Sequence, residues 1–316
     1  MLLALRSSPF PSACSTIFTG YTYALIAACL WGLSGVLAKS LFNNAFDPLA
    51  LVTIRLTLSS LLLVLTLAVV DRHRLVLHRR HVLPLAILGL FGMATNQATY
   101  FYAISVTSVA VAIFLQYLAP VLVALYDVIV GGRRLSSWTA AALCLSLAGS
   151  ALLLVGSPAG KLHVGAAGLL AGLGSACCFA FYTVWSNRYV RDIDPWTVLA
   201  YGLLWATLVW TILRPPWIVF TASYTLGTWF AFGLIAVFGT LLPFGCYLRS
   251  MRFIPPTHAS ITATLEPVVA GAAAFLVLGE ALTAWQLLGA VCVGAGVVVV
   301  QRGGPGEPDQ QASETA

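Results

Sequence analysis

The chain has 316 residues, of which 60% are hydrophobic and only 8% charged, with a formal net charge of +6. A soluble domain carries about 25% charged residues, so the composition excludes a water-exposed globule and implies an integral membrane protein. The excess of positive charge does not point to a nucleic-acid partner; its placement along the chain is the informative part.

The apolar runs last about 20 residues without period-two alternation, which matches a hydrocarbon core of about 30 Å crossed by helices and not by barrel strands. Residues 1–19 contain Pro9 and Pro11 and one apolar run too short for a signal-peptide core, so they read as a cytoplasmic N-terminal tail. Ten spans follow, at about 20–38, 48–70, 82–103, 106–130, 136–156, 165–187, 195–213, 225–248, 257–278 and 283–301. Residues 303–316 are polar and rich in Pro and Gly and read as a disordered cytoplasmic tail. The expected class is an all-α membrane protein. The seven cysteines form no CxxC or Cys/His pattern, so they read as small packing residues, with no metal site and no cofactor motif.

With the N-terminus inside, 12 of the 16 basic residues fall on the inner side, among them Arg72, Arg74, Arg79, Arg80, Arg133 and Arg134. Only Lys39, Lys161 and Arg214 fall outside, and Arg55 lies within a span. This asymmetry puts both termini in the cytoplasm and requires an even number of spans.

A shift of 147 residues superposes the chain on itself. Asp47-Pro48 falls on Asp194-Pro195, Pro120 on Pro267, Gly132 on Gly279, Trp138 on Trp285 and Gly149 on Gly296. Each copy holds five spans, residues 20–157 and 158–302, so the second enters the membrane inverted. Inverted five-helix repeats are a mark of secondary transporters, whose sites lie at the repeat interface near the midplane.

The residues that carry a family likeness are CLWGLSGVLAKSLF in span 1, FDPLALVTIRLTLS at span 2 and LQYLAPVLVAL in span 4. In the second copy they are DPWTVLAYGLL, GTLLPFGCYL and SITATLEPVVAGAAAFLVLGEALT. With these the chain resembles the drug/metabolite transporter superfamily, of the EamA type, over nearly all of residues 20–302. The resemblance implies a central cavity lined by spans 1–4 and 6–9, spans 5 and 10 as peripheral supports, and transport of small metabolites, often export of amino acids or related compounds. One departure is visible. The second copy has Gly279-Glu280-Ala281-Leu282-Thr283, whereas the first has Gly132-Arg133-Arg134-Leu135-Ser136, with arginine in the place of the acid.

Polar residues inside apolar spans are expensive and therefore candidate site residues. Glu266, with Thr262 on the same helical face, could bind a proton or an amine, or be held by Arg55 or by neighbouring hydroxyls. Arg55 could pair with Glu266, bind a substrate carboxylate, or snorkel outward. Asn96, Gln97 and Tyr100 in span 3 and Gln116 and Tyr117 in span 4 either bind a ligand or stitch helices together. Trp31, Ser34, Tyr182 and Tyr201 complete the candidate walls. Pro120, Pro243 and Pro267 free the carbonyls of Gln116, Gly239 and Ala263, giving kinks that serve a wet cavity or packing alone.

The expected function is a secondary transporter, an exporter working by rocking of the two five-helix halves, with a proton cycling on Glu266. Its partners are the lipid bilayer and a small-molecule substrate. An uncoupled facilitator or importer is the alternative, and a channel a further one. Gly32-Leu33-Ser34-Gly35 matches the G-x-S-G of intramembrane serine proteases, but none of the five histidines lies where a base would be needed. The chain is therefore not expected to be an enzyme.

Overall fold

A computed structural model describes residues 13–42, 48–156, 165–220, 224–279 and 281–303. Both distal tails, Lys161 and Glu280 lie outside these residues, as does the Asp47 member of the repeated Asp-Pro pair.

Among the described residues, ten helices are long and apolar enough to cross a bilayer. They are α1 (Ala13–Phe42), α2 (Pro48–Val70), α3 (Arg79–Val106), α4 (Ala110–Ile129), α5 (Ser137–Val155), α6 (Ala166–Tyr189), α7 (Pro195–Leu213), α8 (Leu226–Ser250), α9 (Pro256–Val277) and α10 (Ala284–Arg302). The protein is thus an all-α membrane protein of ten spanning helices. The sequence places an irregular tail up to residue 19, but α1 already begins at Ala13. Ten crossings put both described chain ends, Ala13 and Gly303, on one face of the bundle, the terminal face; the opposite side is the far face.

The two copies share backbone devices at matched positions. Helices α5 and α10 start at Ser136 and Thr283, whose hydroxyls accept the N–H groups of Thr139 and Gln286. The turns before them use Gly132 and Gly279, with φ of 64° and 67°, a left-handed conformation that costs glycine little and other residues more. Helix α4 breaks at Tyr117-Leu118 and α9 at Thr264-Leu265. Pro120 and Pro267 each lie in the first turn of the segment that follows, where an absent N–H forfeits no helical bond.

The π-helical segments are a device that the sequence did not announce. Leu88–Ala94 in α3 and Val237–Leu241 in α8 wind as π-helix. Both carry the same Phe-Gly pair, Phe91-Gly92 and Phe238-Gly239. Wide turns displace carbonyls from the helical ladder, and here other groups take them up. Thr95 donates to the Leu90 carbonyl at 2.9 Å, Trp210 of α7 to Ala94 at 3.3 Å, and Ser59 of α2 to Ala236 at 2.8 Å.

Packing does not follow the order of the repeats. Helix α1 lies against α8 and α9, and α6 lies against α3 and α4. The first helix of each copy has crossed over to the other. Small residues permit this: a Cβ on Gly32 would stand 2.7 Å from the Glu266 carbonyl, and one on Gly172 2.3 Å from Leu115. Two mixed bundles result, α3/α4/α6 and α1/α8/α9. The expected five-helix halves are therefore not the packing units. Helices α5 and α10 pair beside them, with Gly149 and Gly289 each abutting the other's carbonyl.

Candidate functional site

A cavity of about 300 Å³ lies between the two mixed bundles. That is at the small end of the range for sites that hold small molecules. It runs from Ala38, Ile104, Ile113 and Ala274, near the far-face ends of their helices, down to Trp31, Phe179 and Phe244 at mid-depth. These three rings form its floor, with the Trp31 centroid 5.0 Å from Phe244 and 6.2 Å from Phe179, both edge-on.

Below the floor the bundles close on one another. Tyr247 and Thr183 share a hydrogen bond of 2.9 Å. Thr257, at the start of α9, donates to the Asp127 carboxylate at the end of α4 over 2.6 Å. Within the α1/α8/α9 bundle and beside α10, the Tyr21 hydroxyl of α1 meets His258 Nδ1 of α9 at 2.6 Å and donates to the Val300 carbonyl of α10 at 3.0 Å. The terminal face is shut, and the cavity extends toward the far face.

Arg55 and Glu266 are the charged residues among those lining the cavity. Arg55 Nη2 donates to the Gly239 carbonyl at 3.2 Å and its Nε to the Thr240 hydroxyl at 3.0 Å. The Gly239 carbonyl is the one whose usual i+4 donor is missing, because Pro243 has no N–H. The π turn of α8 and the proline after it thus supply Arg55 with acceptors deep in the membrane. These bonds offset a placement cost of about 2.5–3.5 kcal/mol for an arginine at the centre of a span. Two of the guanidinium's five donors are used in this way, and the rest of the fork remains for the cavity. No ion pair within 4.0 Å joins Arg55 to Glu266 among the described residues. Nor does Arg55 snorkel, since it bonds to α8 within the bundle.

Glu266 opens the second segment of α9, just after the break at Thr264-Leu265, and the turn presents its side chain to the cavity. Tyr117, at the matched break of α4, and Tyr100 lie beside it. Asn96, Gln97 and Gln116 complete the polar wall on α3 and α4, and Trp31, Ser34, Pro120 and Pro267 also line the space. Gln116 both lines the cavity and bonds to Asn96 and Ser175, so the choice between binding and stitching does not exclude either.

Four expected positions lie elsewhere. Thr262 is fully buried and its hydroxyl donates back to the His258 carbonyl, because α9 turns it into the helix packing. Tyr182 is only 1% exposed and sits beneath the floor against Phe244. The Tyr201 hydroxyl donates to the Leu75 carbonyl at 2.7 Å, near the terminal face, and α7 contributes no lining residue. Pro243 acts behind the wall, through the carbonyl it frees. The Ser34 hydroxyl donates to the Trp31 carbonyl. Phe179, Phe244 and Ser175 were missed from the sequence because ring-rich, hydroxyl-bearing apolar helices do not reveal which face turns inward.

Among the described residues no cluster could hold a metal ion, and six cysteines are free thiols.

The fold agrees with the comparisons with known proteins. The model of the EamA-like transporter family matches twice, over residues 18–155 and 166–302. The chain belongs to the EamA-like transporter family. This EamA-like transporter is 29% identical over 293 residues to the "Uncharacterized inner membrane transporter YicL" of Salmonella typhimurium, covering 89% of this chain and 94% of that one. It is 33% identical over 216 residues to an "Uncharacterized transporter" of Archaeoglobus fulgidus, covering 68% and 75%. It is also 29% identical over 259 residues to the "Threonine/homoserine exporter RhtA" of Escherichia coli K12, covering 80% and 81%. One solved crystal structure has the same fold, with a TM-score of 0.75 at 20% identity, covering 89% of this chain and 96% of its own. The protein is a multi-pass membrane transporter and not an enzyme.

Proposed function

We propose that this EamA-like transporter exports small zwitterionic metabolites, amino acids and related compounds, across the cytoplasmic membrane by alternating access. The observation that carries this reading is the joint presence of Arg55 and Glu266 in one small cavity without an ion pair between them. An unpaired guanidinium suits a substrate carboxylate, and a carboxylate suits its ammonium group. The likeness to a threonine/homoserine exporter supports the same substrate class.

The excess of basic residues in the loops of the terminal face supports placing that face in the cytoplasm, and the cavity as described then opens outward. The mixed bundles α3/α4/α6 and α1/α8/α9 are the moving parts, and the Thr257–Asp127 and Tyr247–Thr183 bonds are contacts that must part for the cytoplasmic side to open. In the coupled cycle Glu266 alternates between a proton and the substrate ammonium, which ties export to the proton gradient. An uncoupled facilitator or importer would share the cavity and lack the proton step. The two copies, with their matched breaks, favour alternating access over an open pore.

The test is counterflow in proteoliposomes. Purified protein in vesicles preloaded with unlabelled amino acid should take up labelled amino acid transiently, with saturation. Ion current without saturation would contradict the reading and favour a channel.

A further inference from the structure

We infer that Asn96 and Gln116, held by Ser175, form a specificity subsite in the cavity wall for a substrate side chain that both donates and accepts a hydrogen bond, a hydroxyl or a carboxamide. The inference rests on the transport reading of the cavity and adds which side chain the cavity selects.

Three helices meet here. Gln116 Nε2 of α4 donates to Asn96 Oδ1 of α3 at 3.1 Å and to the Ser175 hydroxyl of α6 at 3.0 Å. The Ser175 hydroxyl donates in turn to Asn96 Oδ1 at 3.2 Å. The triangle spends both hydrogens of the Gln116 nitrogen and both lone pairs of the Asn96 oxygen. Left over are two hydrogens on Asn96 Nδ2 and the lone pairs of Gln116 Oε1. Neither atom has a partner among the described hydrogen bonds, and both residues line the cavity.

This result does not depend on which way the amides are turned. A bond between two amides consumes a donor of one and an acceptor of the other. If both are reversed, Ser175 can still bridge them, and the cavity again receives one free donor and one free acceptor. Ser175 itself is fully buried and does not line the cavity, so it is a positioning residue that fixes the two amides relative to each other.

A ligand hydroxyl or carboxamide satisfies both free groups. A methyl or isobutyl group of the same shape leaves both without partners once the cavity closes around it. Sites built in this way reject the analogue that lacks the polar group far more strongly than a pocket distinguishes a missing methylene.

The test uses near-isosteric pairs in counterflow, L-threonine with L-valine and L-asparagine with L-leucine. The half-saturation concentration of the polar member is expected to be lower by about tenfold or more in each pair. Ser175→Ala should reduce that ratio several-fold, and Gln116→Leu should invert it in favour of the apolar member. Ratios within one preparation are independent of how much protein folds. Saturable exchange of all four without discrimination, or a ratio unchanged in Ser175→Ala, would overturn the subsite while leaving the transport reading intact. No saturable exchange of any of the four would overturn the transport reading and the subsite with it.

Discussion

The two helix breaks, Tyr117-Leu118-Ala119-Pro120 in α4 and Thr264-Leu265-Glu266-Pro267 in α9, occupy the same place in the two copies and have the same backbone. Each pauses for two residues and restarts with proline in its first turn. Their side chains differ. Ala119 is fully buried against Ala176 and Ala180 of α6, whereas its counterpart Glu266 lines the cavity. The same asymmetry runs through the walls. The bundle α3/α4/α6 presents neutral amides, while the opposite bundle carries the acid. The backbone devices are thus shared by both copies, whereas each charge has no counterpart in the other copy, Arg55 belonging to the first and Glu266 to the second. Motion can be symmetric while binding is not.

The strongest way to break the comparison is to make it symmetric. Ala119→Glu would put a carboxylate into apolar packing, at a cost of several kcal/mol. The variant should unfold or fail to accumulate, as judged by size-exclusion chromatography of the solubilised protein. Normal folding would mean that the matched position also opens to the cavity.

Arg55→Gln comes next. It removes the cation and leaves the Gly239 carbonyl with a weaker partner. Affinity for a carboxylate-bearing substrate should fall about 10–100-fold, the range for a lost charge-assisted hydrogen bond, measured as half-saturation in counterflow. Arg55→Lys should not restore it, because a point charge cannot serve Gly239, Thr240 and a ligand together.

A smaller effect is expected at the closed face. Thr257→Val removes the bond to Asp127, worth about 1 kcal/mol, so the cytoplasm-open state should gain about fivefold in population. A cysteine placed at Ser260 should then react faster with a thiol reagent applied from that side.

The smallest effects test the shared backbone. Gly132→Ala and Gly279→Ala should each destabilise the fold by about 1 kcal/mol, because both glycines are left-handed. Equal shifts in melting temperature are expected, and a large inequality would show that the two turns are not mechanically equivalent.

The sequence made the fold legible because membrane burial writes it plainly. All ten spans, the 147-residue repeat and the paired prolines lie open in the hydropathy and spacing. The site was legible where a residue was costly in lipid. Glu266, Arg55, Asn96 and Gln116 stand out against apolar neighbours, and all four line the cavity. What stayed hidden is what depends on helix rotation and on partners far away in the chain. Thr262 and Tyr182 are polar in the same way, but their helices turn them into packing. The exchange of α1 and α6 between copies leaves its trace only in small residues such as Gly32 and Gly172, which any close helix pair would use. Both π segments carry a Phe-Gly pair, and the use of the second appears only once Arg55 is seen to hold the Gly239 carbonyl.

The central claim is that Glu266 alone joins substrate to proton. The most direct measurement follows internal pH with a trapped fluorescent dye in proteoliposomes while an amino-acid gradient drives transport, for wild type and Glu266→Gln side by side. Protons should move against the substrate in the wild type, and Glu266→Gln should move none while its bundles still fold. Proton movement undiminished in Glu266→Gln would contradict the account.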